Sequence, residues 1–207
     1  WGVESLGTIM VLLSIGLIIL VTPSLASGLI SGERETGGWQ LLQMTPLTAF
    51  TIVRGKLMSV MWTLVLLLFA TLPAYGLLSE IDVSDKLRIQ DTLISMVLTA
   101  LFALLLSGTV SSLFKRTAAA TTTAYMLLIS LCAGTMLFWL LEESPFSRST
   151  VEMVLLFNPL AAALTLIKAP GFAEYTLIPG NWYILGIGSV ILLVVLVVRT
   201  WRLTRPL

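Results

Sequence analysis

Residues 6–31 read LGTIMVLLSIGLIILVTPSLASGLIS, a run without a single Asp, Glu, Lys or Arg. As a helix rising 1.5 Å per residue it would reach about 39 Å, more than the roughly 30 Å of a bilayer's hydrocarbon core. Four further uncharged stretches follow at 57–78, 92–114, 117–141 and 182–198, the last being the shortest and best started near Gly180. The pattern predicts an all-α fold, a polytopic transmembrane helical bundle with five spans in a single transmembrane domain over 1–207. Composition agrees, because 57% of the 207 residues are hydrophobic and only 11% are charged, whereas soluble domains run near a quarter charged. A signal peptide is a poor reading of 6–31, since no basic region precedes it and it outruns a typical signal core. Trp1 in place of Met suggests that sequence upstream has been cut away.

The chain has no histidine and one cysteine, Cys132. A Ser/His/Asp triad, a His-ligated zinc and a bis-histidine haem therefore cannot be built from this chain alone, and an internal disulfide has no second thiol. No catalytic residue, metal site or cofactor is expected, and Cys132 is expected to pack. A net charge of +1 points to neither nucleic acid nor an anionic surface. The distribution of charge says more. Residues 32–56, 115–116 and the tail from 199 carry Arg34, Arg54, Lys56, Lys115, Arg116, Arg199, Arg202 and Arg205 against Glu33 and Glu35 only. The remaining segments carry Lys86, Arg88, Arg148 and Lys168 against nine acidic residues, among them Glu142, Glu143 and Glu152. The positive-inside rule then puts the 32–56 loop and the C-terminus in the cytoplasm of a multi-pass inner (plasma) membrane protein.

The apolar stretch 151–167 carries Asn158 and Pro159 at its middle. Proline removes a helix hydrogen bond and drives the residue before it out of helical geometry. Within the extracytoplasmic 142–181 loop, 151–167 is expected to form a helix, a break and a helix that dips into the outer leaflet and returns, with Asn158 and Pro159 at an outer gate. A surface amphipathic loop is the alternative. Inside the spans the weakly polar residues are small: Ser107, Gly108, Ser111 and Ser112 in one, Thr117, Ala120, Thr121 and Ala124 in another. Such residues let membrane helices approach closely and bond across the contact, and the same types would serve to line a path. The absence of ionisable groups from the spans disfavours ion-coupled carriers and proton relays.

Residues 27–57 (SGLISGERETGGWQLLQMTPLTAFTIVRGKL) change character several times within a few turns. Gly28 and Gly32 loosen the helix end, Glu33, Arg34 and Glu35 form a charged cluster, and Gly37 and Gly38 permit a reversal. A short apolar patch of Trp39, Leu41, Leu42 and Met44 follows, Thr45-Pro46 stops it, and Thr48 can cap the next helix. The physical expectation is a short helix across the mouth of two membrane helices, a crosspiece through which both can be levered. An interfacial hairpin anchored by Trp39 is the plain alternative.

Gly32-Glu33-Arg34-Glu35-Thr36-Gly37, then Leu41-Leu42, Thr45-Pro46-Leu47 and Gly55-Lys56-Leu57, closely resembles the cytoplasmic motif of ABC type-2 transporter permeases. Four blocks in order cover about 30 residues by motif, and the span order extends the likeness over most of the chain. The resemblance implies a six-span family fold whose first span is missing here, and it makes 33–47 the coupling segment. Glu33, Arg34, Glu35, Gly37, Trp39, Leu41, Leu42, Met44, Thr45 and Pro46 would then contact a cytoplasmic ABC ATPase subunit, with the charges on its polar groups and the leucines and Met44 in its groove. It further implies a second permease chain in a homo- or heterodimer, a lipid environment, export as the direction, and a pathway between two bundles lined in part by the first span and the 92–114 span. No G-x-x-x-x-G-K-[ST] occurs, so ATP would be hydrolysed by another chain. The rival readings are a non-transporting scaffold or a maturation factor that docks a cytoplasmic partner.

Overall fold

The structure, a computed structural model, describes residues 3–44, 47–81, 86–140 and 147–204; side chains at 3–6, 74, 77–81 and 86–89 are outside the description. Thr45, Pro46, Glu142 and Glu143 therefore lie outside the described residues. Every described element is helical: α1 Val3–Ala26, α2 Gly28–Thr36, α3 Gly38–Gln43, α4 Ala49–Ile81, α5 Lys86–Leu113, α6 Thr117–Ile129, a π-helical turn Ser130–Gly134, α7 Thr135–Leu140, α8 Arg148–Leu155, α9 Pro159–Leu166 and α10 Gly180–Thr204. Five stretches are long and apolar enough to cross a membrane: Gly7–Thr36, Ala49–Pro73, Gln90–Leu113, Thr117–Leu140 and Gly180–Thr204. The chain thus has the build of a multi-pass membrane protein. Its outward side chains agree, since Leu13, Leu20, Trp62, Leu66, Phe69, Met126 and Val190 are all exposed, an arrangement suited to hydrocarbon and costly in water.

The third of these spans is the central post. In its most apolar window 61% of residues are buried, against 11–44% for the other four. Helix α5 packs on α1, α2, α4, α6, α9 and α10, with Met96, Ala100 and Ala103 joining Val11, Ile15 and Ile18 of α1 in the main core. The small residues explain the close packing. Ala120 and Ala124 of α6 are fully buried against Val110 of α5, and Gly108 lies beneath Leu29, Leu57 and Leu196 from three other helices.

The first span runs further than its uncharged stretch. Ser27 keeps right-handed helical geometry and donates its N–H to the Pro23 carbonyl at 3.0 Å, so α1 leads into α2 and the helix ends only at Thr36. Gly28 and Gly32 do not loosen this end. They lie against the Thr117 side chain, where their small size lets α2 approach α6. Glu33, Arg34 and Glu35 consequently ride on the last turns of the first span, and among the described residues only α3, six residues long, lies between the reversal at Gly37 and α4.

Hydrogen bonds fix which ends meet. Arg34 reaches carbonyls at the end of α5, Glu35 reaches the start of α6, and Trp39 reaches the end of α10. The 32–56 segment, the 114–116 turn and the C-terminal turn of α10 therefore gather at one end of the bundle. At the other end, Trp139 of α7 stacks on Phe172 with centroids 4.7 Å apart, and Asn181 of α10 donates to the Leu156 carbonyl at 2.8 Å. Residues 147–179 thus leave and rejoin the bundle at that same end. Within them α8 and α9 are bent by 106°.

Candidate functional site

At the first end, the connector 32–44 bonds to every helix around it. The Glu33 carboxylate pairs with Lys56 of α4 at 2.9 Å. Arg34 donates to the carbonyls of Phe114 at 3.1 Å and Ser112 at 3.3 Å. These carbonyls close the C-terminal turn of α5, where intrahelical donors run out and positive charge is favoured. Glu35 does the converse, its Oε2 accepting the Thr117 N–H at 2.8 Å, at the helix N-terminus where free donors favour an anion. Arg116, in the capping position of α6, supplies no side-chain cap of its own. Trp39 Nε1 and Gln43 Nε2 both donate to the Leu203 carbonyl in the last turn of α10, at 3.1 and 2.7 Å.

Gly37 makes this possible by turning the chain at φ +80°, a left-handed conformation that costs a side-chain-bearing residue roughly 1 kcal/mol or more. Trp39 then enters the apolar cluster of Ile30, Val53 and Leu196, with Leu42 packed partly against it. What remains outside is apolar: Leu41 is 68% exposed, Met44 83%, Leu47 48% and Phe50 56%. Of the ten residues expected to contact a partner, Leu41 and Met44 therefore point outward, and Gly37 and Glu35 are also exposed. Trp39 is turned into the protein, and Glu33, Arg34 and Leu42 are half-buried. Leu47, noted above only as part of a motif block, and Phe50, not singled out from the sequence, are exposed as well. Met44, Leu47 and Phe50 follow one another at intervals of three, a helical spacing that Pro46 interrupts. The capping partners Thr117 and Leu203 carry no local signal at all, being far away in sequence.

Behind the connector lies a second polar joint. Ser111 Oγ of α5 accepts the backbone N–H groups of Ile30 at 2.9 Å and Ser31 at 3.0 Å, donors left free where α1 gives way to α2. Ser27 and Thr121 share a hydrogen bond of 2.6 Å. The small polar residues of these spans are bonded or packed within the chain.

At the opposite end, Asn158 is fully buried and uses its whole side chain. Its Oδ1 accepts from Leu160 and Ala161 N–H at 2.9 and 3.3 Å, capping α9, while its Nδ2 donates to the Cys132 carbonyl at 2.9 Å and Thr135 Oγ1 at 2.7 Å. Cys132 sits in the π-helical turn, and its carbonyl accepts the Thr135 N–H as well. Pro159 occupies the first turn of α9, where its missing N–H costs nothing. Among the described residues no cluster of three or more His, Cys, Asp or Glu could hold a metal ion. Compared with known proteins, the chain matches no family model and no curated protein.

Proposed function

We propose that the chain is the membrane subunit of an ATP-driven transporter of the ABC type-2 permease class, acting as an exporter, with the connector as its coupling element. The observation that carries this is the exposed apolar pair Leu41 and Met44, held on a connector bonded to α4, α5, α6 and α10, with Leu47 and Phe50 exposed just beyond it. A force on that pair is transmitted to all of these helix ends at once, because Glu33, Arg34, Glu35 and Trp39 tie them to one short segment. Two of the four motif blocks, residues 32–37 and Leu41-Leu42, fall on this connector, a third, Gly55-Lys56-Leu57, begins beside it on α4 with Lys56 paired to Glu33, and together the blocks supply the class. In this reading the ATPase groove takes the apolar patch, and the charged triad frames it from behind. The basic end faces the cytoplasm, a second permease chain completes the transporter, and the bent α8–α9 pair forms the re-entrant outer gate at Asn158 and Pro159.

The experiment is ATP hydrolysis by an ABC ATPase subunit co-purified with this chain. Leu41→Asp and Met44→Asp should leave the permease folded and abolish both its binding of the ATPase and its effect on hydrolysis. Unchanged hydrolysis and unchanged complex formation would remove the coupling role. ATPase binding without transport-linked turnover would favour the scaffold.

A further inference from the structure

The connector end holds more cations than anions able to meet them. Its two carboxylates are engaged, Glu33 with Lys56 at 2.9 Å and Glu35 with the Thr117 N–H at 2.8 Å. Arg199 of α10 lies between Leu196 and Leu203, both of which pack in the cluster beside Trp39. Its Nε is buried and has no hydrogen-bond partner among the described residues. Ile30 of α2 and Leu196 of α10 share that cluster, and Arg34 and Arg199 follow them about one turn later on the same two helices, Arg34 donating to carbonyls at the end of α5, so the two positive charges are carried at the same end of one helix contact. A guanidinium cannot shed its proton to relieve this, and a buried charged donor left unpaired is costly. An anion between the two would answer both charges, and the planar donor fork of arginine suits a phosphate.

The surroundings say which phosphate. Val194, Val195 and Val198 are exposed on the turns of α10 leading to Arg199, and Trp201 is exposed just beyond. Valines give way to a cation and then to an indole, the order in which a lipid passes from acyl chain to headgroup. We infer that Arg34 and Arg199 together bind the phosphate of an anionic phospholipid whose acyl chains lie along Val194, Val195 and Val198. The assignment does not depend on the transporter reading, since it uses only the charge and shape of this end.

The test is lipid retention by the purified chain, counted by native mass spectrometry after equilibration with phosphatidylglycerol or phosphatidylcholine. The wild type should retain phosphatidylglycerol over phosphatidylcholine by about five-fold, the scale of one basic group at a membrane surface. Arg199→Gln should abolish that preference, Arg199→Lys should keep part of it, and Arg148→Gln at the opposite end should leave it intact. Equal retention of both lipids by the wild type overturns the proposal and needs no variant to fold. So does an undiminished preference in Arg199→Gln, or an equal loss in Arg148→Gln. Thermal stabilisation by inorganic phosphate alone, as large as that by phosphatidylglycerol, would make this a free-anion site and overturn the lipid assignment.

Discussion

The carboxylate of Glu35, at the end of the first span, accepts the backbone N–H of Thr117, at the start of the fourth, at 2.8 Å. Two segments 82 residues apart are thus joined at their helix ends, the charge of one answering the free donors of the other. Glu35→Ala should leave the fold intact and speed hydrogen exchange in the first turn of α6, residues 117–120. Glu35→Gln, which keeps an acceptor oxygen, should have the smaller effect. Unchanged exchange in the alanine variant would show that the cap does not hold this turn.

Two serines one turn apart on α5 should behave oppositely. Ser111 satisfies two backbone N–H groups of the first span, so Ser111→Ala should cost about 1–2 kcal/mol in a denaturant titration in detergent. Ser107 has a buried hydroxyl without a hydrogen-bond partner among the described residues, and Ser107→Ala should be neutral or stabilising. Equal losses would mean that volume rather than hydrogen bonding sets the effect.

Asn158 caps α9 through two hydrogen bonds and ties it to Cys132 in the π-helical turn and Thr135 of α7 through two more. Asn158→Ala removes a cap and strands buried polar groups, and should destabilise by about 2–4 kcal/mol. Asn158→Asp keeps the cap oxygen and loses the donor to Cys132, so it should be no better tolerated despite its similar shape. A stable, fully folded aspartate variant would contradict the buried, donor-dependent role.

Orientation is open to direct labelling. Cys132 is buried, so its replacement by alanine gives a background for single cysteines. Thr48 and Ser149 are exposed at opposite ends of the bundle. Thr48→Cys should react with an impermeant maleimide only in inverted vesicles, and Ser149→Cys only in intact cells. Reaction of Thr48→Cys from outside would reverse the proposed topology.

Five uncharged stretches were enough to predict five membrane-length helices, because hydrocarbon admits backbone only when its hydrogen bonds close locally, as in a helix. The break at Asn158-Pro159 was legible for a similar reason, being imposed by the proline ring on its neighbour. The fates of Glu33, Arg34, Glu35 and Trp39 were not. Sequence marks them as charged or aromatic residues in a connector, fit for a partner or for the protein itself. Their bonds to Lys56, the end of α5, Thr117 and Leu203 arise only when helix ends distant in sequence are brought together. The helices were decided by local backbone chemistry, whereas the outward turn of Leu41 and Met44 was decided by which neighbouring side chains found partners inside.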